Sequence, residues 1–321
     1  VISDIHRQGP LIECVLNVSE GRDIPLLDMI STAVNQVDGA IIIHRDIGYD
    51  AHRTVFTIAG HPIGVMDSID HVLSIALDHI NMANHHGAHP CTGALDVIPL
   101  VPIQRITIAS CQELLTNYAK HWSDDYQLPL CYYGDMASAP DQVTLAQIRK
   151  GGYNQLKTRM DDEKLIVDEG PNIPHPQLGL SSCTVRPYMI AYNINLNTSD
   201  LSKAKNLAAM LRKERSTHLK TKDVRFLGWY METYGCTQIS TNIYDIEAVT
   251  MQELYCYVSE KAKVLDIECS GSELIGLTPT KGLTRISDHV EQVVKQIGLN
   301  SVSTFDPAKR VLERVLNIPI N

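Results

Sequence analysis

The chain has 321 residues, 44% of them hydrophobic and 20% charged, with a formal net charge of −9 and a pI near 5.8. An acidic chain with no long Lys/Arg run argues against a nucleic-acid binder. Its apolar runs fall well short of the roughly 20 residues needed to span a bilayer. The length suits about two domains. The eight cysteines are scattered, with no CxxC pair and no zinc-finger spacing. They read as reduced, buried thiols of a cytoplasmic protein rather than a disulfide framework.

Strand and helix signals alternate along the first half. Residues 11–18 read as a buried strand, and residues 26–37 place Leu27, Ile30, Ala33 and Val34 on one helical face. Residues 40–43 and 54–59 are short β-rich runs around a polar loop from Asp46 to Arg53. Residues 62–82 read as a long helix with Pro62 in its first turn. Residues 95–103 form a strand, 111–122 an amphipathic helix and 128–133 another strand. Residues 164–187 break the pattern, because three prolines and two glycines fall between Gly170 and Gly179. Such a stretch is usually a linker or a binding loop. The alternation then resumes, with strands at 188–196, 226–231 and 238–243. A helix capped by Ser199 or Asp200 runs to about Lys213, and another covers 251–264. Residues 274–278 are extended, and two helical stretches follow. The expected architecture is α/β of the α+β type. It has two subdomains, residues 1–187 and 188–321, each a mixed sheet with helices on its outer face. No internal sequence repeat is evident.

Chemistry concentrates in Asn84-His85-His86-Gly87-Ala88-His89-Pro90-Cys91, which puts three histidines within five residues. Histidine alone has an unperturbed pKa close enough to neutrality to take and give a proton at pH 7. His85 and His89 stand four apart, a metal-ligand spacing on a helix. Gly87 and Pro90 break that helix, and no HExxH or paired-carboxylate pattern supports a metal. His89 is favoured as acid/base because Pro90 stiffens its backbone. Asp46 and Arg53 bracket a turn that either orients a histidine or is simply solvated. Asn17, at the end of the first strand, is a substrate contact or part of a capping turn. The run from Lys203 to Arg225 carries eight basic residues against two acids. It either steers an anion or forms a solvated helix face.

These stretches, in order, resemble glutamate formimidoyltransferase and the formiminotransferase domain of formimidoyltransferase–cyclodeaminase. The landmarks are Glu13-Cys14-Val15-Leu16-Asn17-Val18-Ser19-Glu20-Gly21, Arg53-Thr54-Val55-Phe56-Thr57, His89-Pro90 with Gly93-Ala94-Leu95-Asp96-Val97-Ile98-Pro99, Gly151-Gly152-Tyr153, Ala191-Tyr192-Asn193-Ile194-Asn195-Leu196 and Gly271-Ser272-Glu273-Leu274-Ile275-Gly276-Leu277. The resemblance implies transfer of a formimino group from N-formimino-glutamate to N5 of tetrahydrofolate in histidine breakdown. It also implies a substrate tunnel between two subdomains, a homodimer, no metal, and a cyclodeaminase activity on a separate partner. It assigns catalysis to His89 with Asp46. Folate contacts fall on Gly170-Pro171-Asn172-Ile173-Pro174-His175-Pro176-Gln177-Leu178-Gly179, and Asn17, Arg53 and Arg186 complete the expected substrate set. The chain departs from the family at one place of consequence. Where the family reads Glu-His-Pro-Arg, this sequence has Ala88-His89-Pro90-Cys91. An arginine fork that could grip a carboxylate is replaced by a thiol. A divergent folate-binding homologue with weak or altered, formyl-directed transfer is therefore the alternative reading, and a histidine-metal hydrolase is a third.

Overall fold

The computed structural model describes residues 9–286 and 289–318. The chain divides into two compact units, Val1–Pro187 and Tyr188–Asn321. In the first, strand β1 (Leu11–Val18) leads into helix α1 (Ile24–Gln36), then β2 (Ala40–Gly48), β3 (Arg53–Gly60), helix α2 (Pro62–His79), β4 (Leu95–Gln104) and helix α3 (Ile108–Tyr126). Beyond these lie β5 (Leu130–Tyr132), the short helices α4 (Leu145–Ile148) and α5 (Leu156–Asp161), and β6 (Ser181–Val185). The sheet order is β2-β3-β1-β4-β6-β5. The first four strands pair antiparallel, and β6 joins β4 and β5 in parallel.

Helices α1–α3 cover one face of this sheet, while α4 and α5 pack on the other through Ile148, Leu156 and Met160, against Val97 of β4 and Cys131 of β5. On β1 the alternate residues Ile12, Cys14, Leu16 and Val18 share one core with Leu27 and Ile30 of α1, Met66, Ile69 and Leu73 of α2, and Trp122 of α3. Each helix starts where its sequence permits. The Asp23 carboxylate accepts from Leu26 N at 3.0 Å ahead of α1, and Thr107 Oγ1 accepts from Ser110 N at 3.1 Å ahead of α3. The pleat sends Glu13, Val15 and Asn17 to the opposite face, away from α1–α3.

The second unit runs β7 (Ile190–Leu196), helix α6 (Leu201–His218), β8 (Val224–Met231), β9 (Cys236–Ile243), helix α7 (Met251–Val264) and β10 (Cys269–Ile275), followed by short helices including α8 (Thr280–Leu283) and α9 (Val290–Gln296). Its order, β10-β7-β9-β8, is antiparallel throughout. Read from β8, it is second-third-first-fourth, the same as β2-β3-β1-β4. Both units therefore carry one split βαβ arrangement twice over, a repeat of topology that sequence similarity does not reveal. This also corrects the expectation of a mixed second sheet. In this arrangement the parallel strands of each βαβ crossover are separated by an antiparallel one, so parallel pairs arise only where β6 and β5 extend the first unit.

Other differences follow from tertiary pairing. The expected linker at 164–187 belongs to the first unit and contains β6, whose small polar side chains mask it. Thr184 Oγ1, for example, finds Tyr133 O at 2.7 Å. Strand β2 runs on through Asp46 to Gly48, where a polar loop was expected, because it is zipped to β3. The basic run from Lys203 to Arg225 lies on α6 and the following turn, largely solvated, with Arg212 Nη1 bonded to Phe226 O and Arg215 Nε to Lys222 O. All eight cysteines are free thiols. No helix among the described residues is long and apolar enough to cross a membrane.

Candidate active site

The histidine loop spans the gap between α2 and β4 and is tied down on three sides. Ala88 N donates to Asp50 O at 3.0 Å, so the loop lies on the β2–β3 turn. Gly87 is needed there, since a Cβ would stand 2.3 Å from Ala51 O. Met82 N donates to Gln177 O at 2.9 Å and Ala94 N to Leu178 O at 2.8 Å. At the end of β1, Ser19 N reaches Ala94 O at 2.8 Å and Ser19 Oγ reaches Gly93 O at 2.7 Å. The result is a cleft of about 490 Å³ lined by His85, His86, His89 and Cys91, with Arg22 and the Gly151-Gly152 turn.

His89 is half-buried in it. Arg53 Nη1 lies 3.1 Å from Nε2 and 3.4 Å from Nδ1, over the imidazole ring, and His89 Nδ1 lies 2.9 Å from Pro90 O. A carbonyl only accepts. The imidazole is therefore the Nδ1–H tautomer, with Nε2 unprotonated. Burial, reinforced by the charges of Arg53 and Arg149, lowers its pKa to about 3.

Arg149 and Asp96 stand behind this pair. Asp96 is fully buried on β4, bonded to Arg149 Nη2 and accepting from Thr92 N at 2.8 Å. Burial opposes its ionisation, but Arg149 and Thr92 together outweigh that and hold the carboxyl below its usual range. Burial and the nearby Arg149 push Arg53 down to about 10, with Asp96 opposing. Two half-buried guanidiniums stand near one carboxylate, Arg149 bonded to it and Arg53 within its field, which leaves a net positive charge beside the cleft. That arrangement suits an incoming anion.

Cys91 follows His89 by two residues on the same loop. Its Sγ lies 3.5 Å from His85 Nδ1, and His85 Nε2 lies 2.8 Å from His52 O. The His52 carbonyl accepts, so His85 carries its proton on Nε2 and presents a lone pair to the thiol. His52 stacks on His85 with ring centres 4.4 Å apart. Its own nitrogens face Glu20 Oε1 and His86 O, both at 3.1 Å.

The expected residues are distributed as follows. Arg53 joins His89. Asn17 and Asp46 share its sheet face, since both are paired with Val55, two residues along β3. Asp46 is thus diagonal to Arg53, roughly 7–8 Å between α-carbons, and lies 3.0 Å from His44 Nε2. The Gly170–Gly179 segment divides in two. His175 and Gly179 exchange backbone bonds of 2.9 Å, closing a tight turn that is stapled to the histidine loop through Gln177 and Leu178. Gly170, by contrast, lies against Leu128 O, and Ile173 is exposed. Arg186 follows β6 and pairs with Leu100, five residues along β4 from Leu95. That is roughly 17 Å of strand away from the histidine end.

Arg149, Glu20 and His52 were not foreseen as a group. One signal was present: a carboxylate inside the apolar run Leu95–Val101 demands a cationic partner, though the sequence does not say which. Among the described residues no group of three or more His, Cys, Asp or Glu side chains is placed to hold a metal ion.

Residues 11–186 match the N-terminal subdomain of the formiminotransferase domain, and residues 191–317 match the formiminotransferase domain model that follows it. The chain belongs to the formiminotransferase family. It is 30% identical over 310 residues to glutamate formimidoyltransferase of Thermoplasma acidophilum, covering 96% of this chain and 99% of that protein. Against the enzyme of the same name from Streptococcus pyogenes serotype M1 it is 28% identical over 306 residues, 95% of this chain and 98% of the other. It is 32% identical over 321 residues to formimidoyltransferase-cyclodeaminase of Mus musculus, covering 94% of this chain and 59% of that protein. The chain thus spans 59% of the length of the mouse and rat relatives it matches.

Proposed function

We propose that this chain transfers the formimino group of N-formimino-L-glutamate to N5 of tetrahydrofolate, yielding glutamate and 5-formimidoyltetrahydrofolate, a step of histidine degradation that feeds one-carbon metabolism. The observation that carries this reading is His89, its Nδ1 bonded to Pro90 O and its Nε2 unprotonated, in a cleft beside two half-buried arginines. Both substrates bear carboxylates, and the formimino carbon is an amidine, most electrophilic when protonated. N5 must lose a proton as it attacks, and the glutamate nitrogen must gain one to leave. One imidazole does both in turn.

Arg53 lies over the His89 ring, and its charge adds to burial in holding the imidazole pKa down. A donor carboxylate drawing Arg53 to itself offsets that field, so the base strengthens when substrate arrives. Asp46, diagonal to Arg53 on the same face, stabilises the cationic amidinium. Asn17 and the turn at His175–Gly179 supply polar and flat surface for the folate. We further propose a cytoplasmic homodimer.

The test is purified protein with both substrates, following 5-formimidoyltetrahydrofolate. Turnover is expected, with His89→Ala about 10²–10⁴-fold slower. Undiminished turnover by His89→Ala would remove the assigned role. The second reading, a folate-binding homologue with weak or formyl-directed transfer, is favoured by Cys91 standing where the family has arginine. It predicts tight folate binding by calorimetry and negligible formimino turnover.

A further inference from the structure

We propose that Cys91 and His85 form a nucleophile–base pair, and that the formimino group passes through a thioimidate on Cys91 before it reaches folate. This rests on the transferase reading above.

The geometry meets the requirements for an activated nucleophile. The thiol and the base are within hydrogen-bond reach, and a third group fixes the base. Here Cys91 Sγ stands 3.5 Å from His85 Nδ1, and the His52 carbonyl accepts from His85 Nε2 at 2.8 Å. That bond sets the tautomer, so the nitrogen facing sulfur is the one able to take its proton. The stacked His52 ring holds the imidazole in plane. Both members of the pair line the same cleft as His89. All five buried cysteines, Cys91 included, border the hydrophobic cores, but Cys91 also lines the cleft.

Burial lowers the pKa of His85 and raises that of Cys91, the thiol to about 11. The resting pair is therefore a neutral thiol beside a neutral imidazole. Attack on an amidinium proceeds with proton transfer to the base in the same event, as a hydroxyl is activated by a neighbouring histidine.

The steps balance. A bond forms between Sγ and the formimino carbon while the thiol proton moves to His85 Nδ1. The bond from that carbon to the glutamate nitrogen then breaks, and His85 returns the proton to that nitrogen. Glutamate leaves, and Cys91 holds the formimino group as a thioimidate. N5 of tetrahydrofolate attacks the same carbon and gives its proton to His89 Nε2. The sulfur–carbon bond breaks and the departing sulfur recovers that proton. Under this scheme His89 serves the second half of the reaction, passing its proton to sulfur instead of to glutamate. No oxidant, reductant or further co-reactant is needed.

The experiment uses the full chain with N-formimino-glutamate and no folate, quenched in acid. Expected are one glutamate released per chain and a mass gain of one formimino group replacing one hydrogen, located on the Cys91 peptide. Steady-state kinetics with both substrates should be ping-pong. Cys91→Ala should show neither adduct nor folate-free glutamate release, with turnover falling about 10²-fold or more. Cys256→Ser, at an exposed thiol, should retain all three signals. Turnover by the wild type without adduct or glutamate release, or full turnover by Cys91→Ala, overturns the thioimidate and leaves the transferase reading standing. No turnover by the wild type with both substrates overturns both.

Discussion

Glu13 offers a quantitative test of the electrostatics on the face of the first sheet opposite α1–α3. It lies on β1 with 4% of its surface exposed, and its Oε2 has no hydrogen-bond partner. Burial raises its pKa from 4.5 to about 7, with the charge of Arg186 opposing. The folded chain therefore holds the Glu13 proton between pH 4.5 and 7, while the unfolded chain releases it. Stability from this group is fully present below pH 4.5, falls as pH rises through that window, and levels off above 7. At about 1.4 kcal/mol per unit, the loss reaches roughly 3 kcal/mol at pH 8. Glu13→Gln keeps the shape and removes the proton. Its stability relative to wild type should rise by that roughly 3 kcal/mol between pH 4 and pH 8. The change with pH is the informative quantity, because any fixed effect of burying an amide cancels in it. So does the contribution of His89, common to both proteins. Urea unfolding should be followed by Trp122, fully buried in the first unit, with Trp229, one of the two tryptophans, replaced by Phe. A difference independent of pH would show that Glu13 is ionised in the fold and refute the argument.

Three further outcomes are expected. In wild-type protein the His89 imidazole should not titrate between pH 5 and 8, since its pKa lies at about 3; Arg53→Gln should move it upward, visible in proton NMR, and no movement would mean that Arg53 does not set its basicity. Arg149→Met leaves the fully buried Asp96 without its cation and should destabilise by about 3–5 kcal/mol. Adding Asp96→Asn should recover much of this in urea unfolding, and strictly additive losses would contradict the pairing. Gly87→Ala puts a methyl against the Ala51 carbonyl and should cost about 1–3 kcal/mol, with a larger fall in turnover than in folate affinity.

Much of the site was legible because it is local. His89 and Cys91 lie on one loop, and the glycine and proline that shape that loop are neighbours in sequence. Arg53 and Asp46 were also visible, though Asp46 was read in a turn rather than on β2. What could not be read was pairing across distance. Arg149 lies 53 positions from Asp96, and Glu20 lies 32 from His52. Nothing in either stretch names its partner, because a charge pair is specified by where strands and loops cross.

The same division holds for the fold. Periodicity and capping determine the elements: β1 falls on residues 11–18 as its apolar run dictates, and α7 begins at the Thr250–Glu253 capping box. These depend on residues a few positions apart, which the sequence displays directly. Tertiary structure decided the rest: the hidden strand β6, the extension of β2 past Asp46, the antiparallel second sheet and the topology shared by the two units. Each depends on hydrogen bonding between strands far apart in the chain, and backbone groups carry no sequence signal of their own. For His89, sequence supplied the residue. The fold supplied the arginine beside the ring, the tautomer and the neutral charge state, which are the properties the proposed chemistry needs.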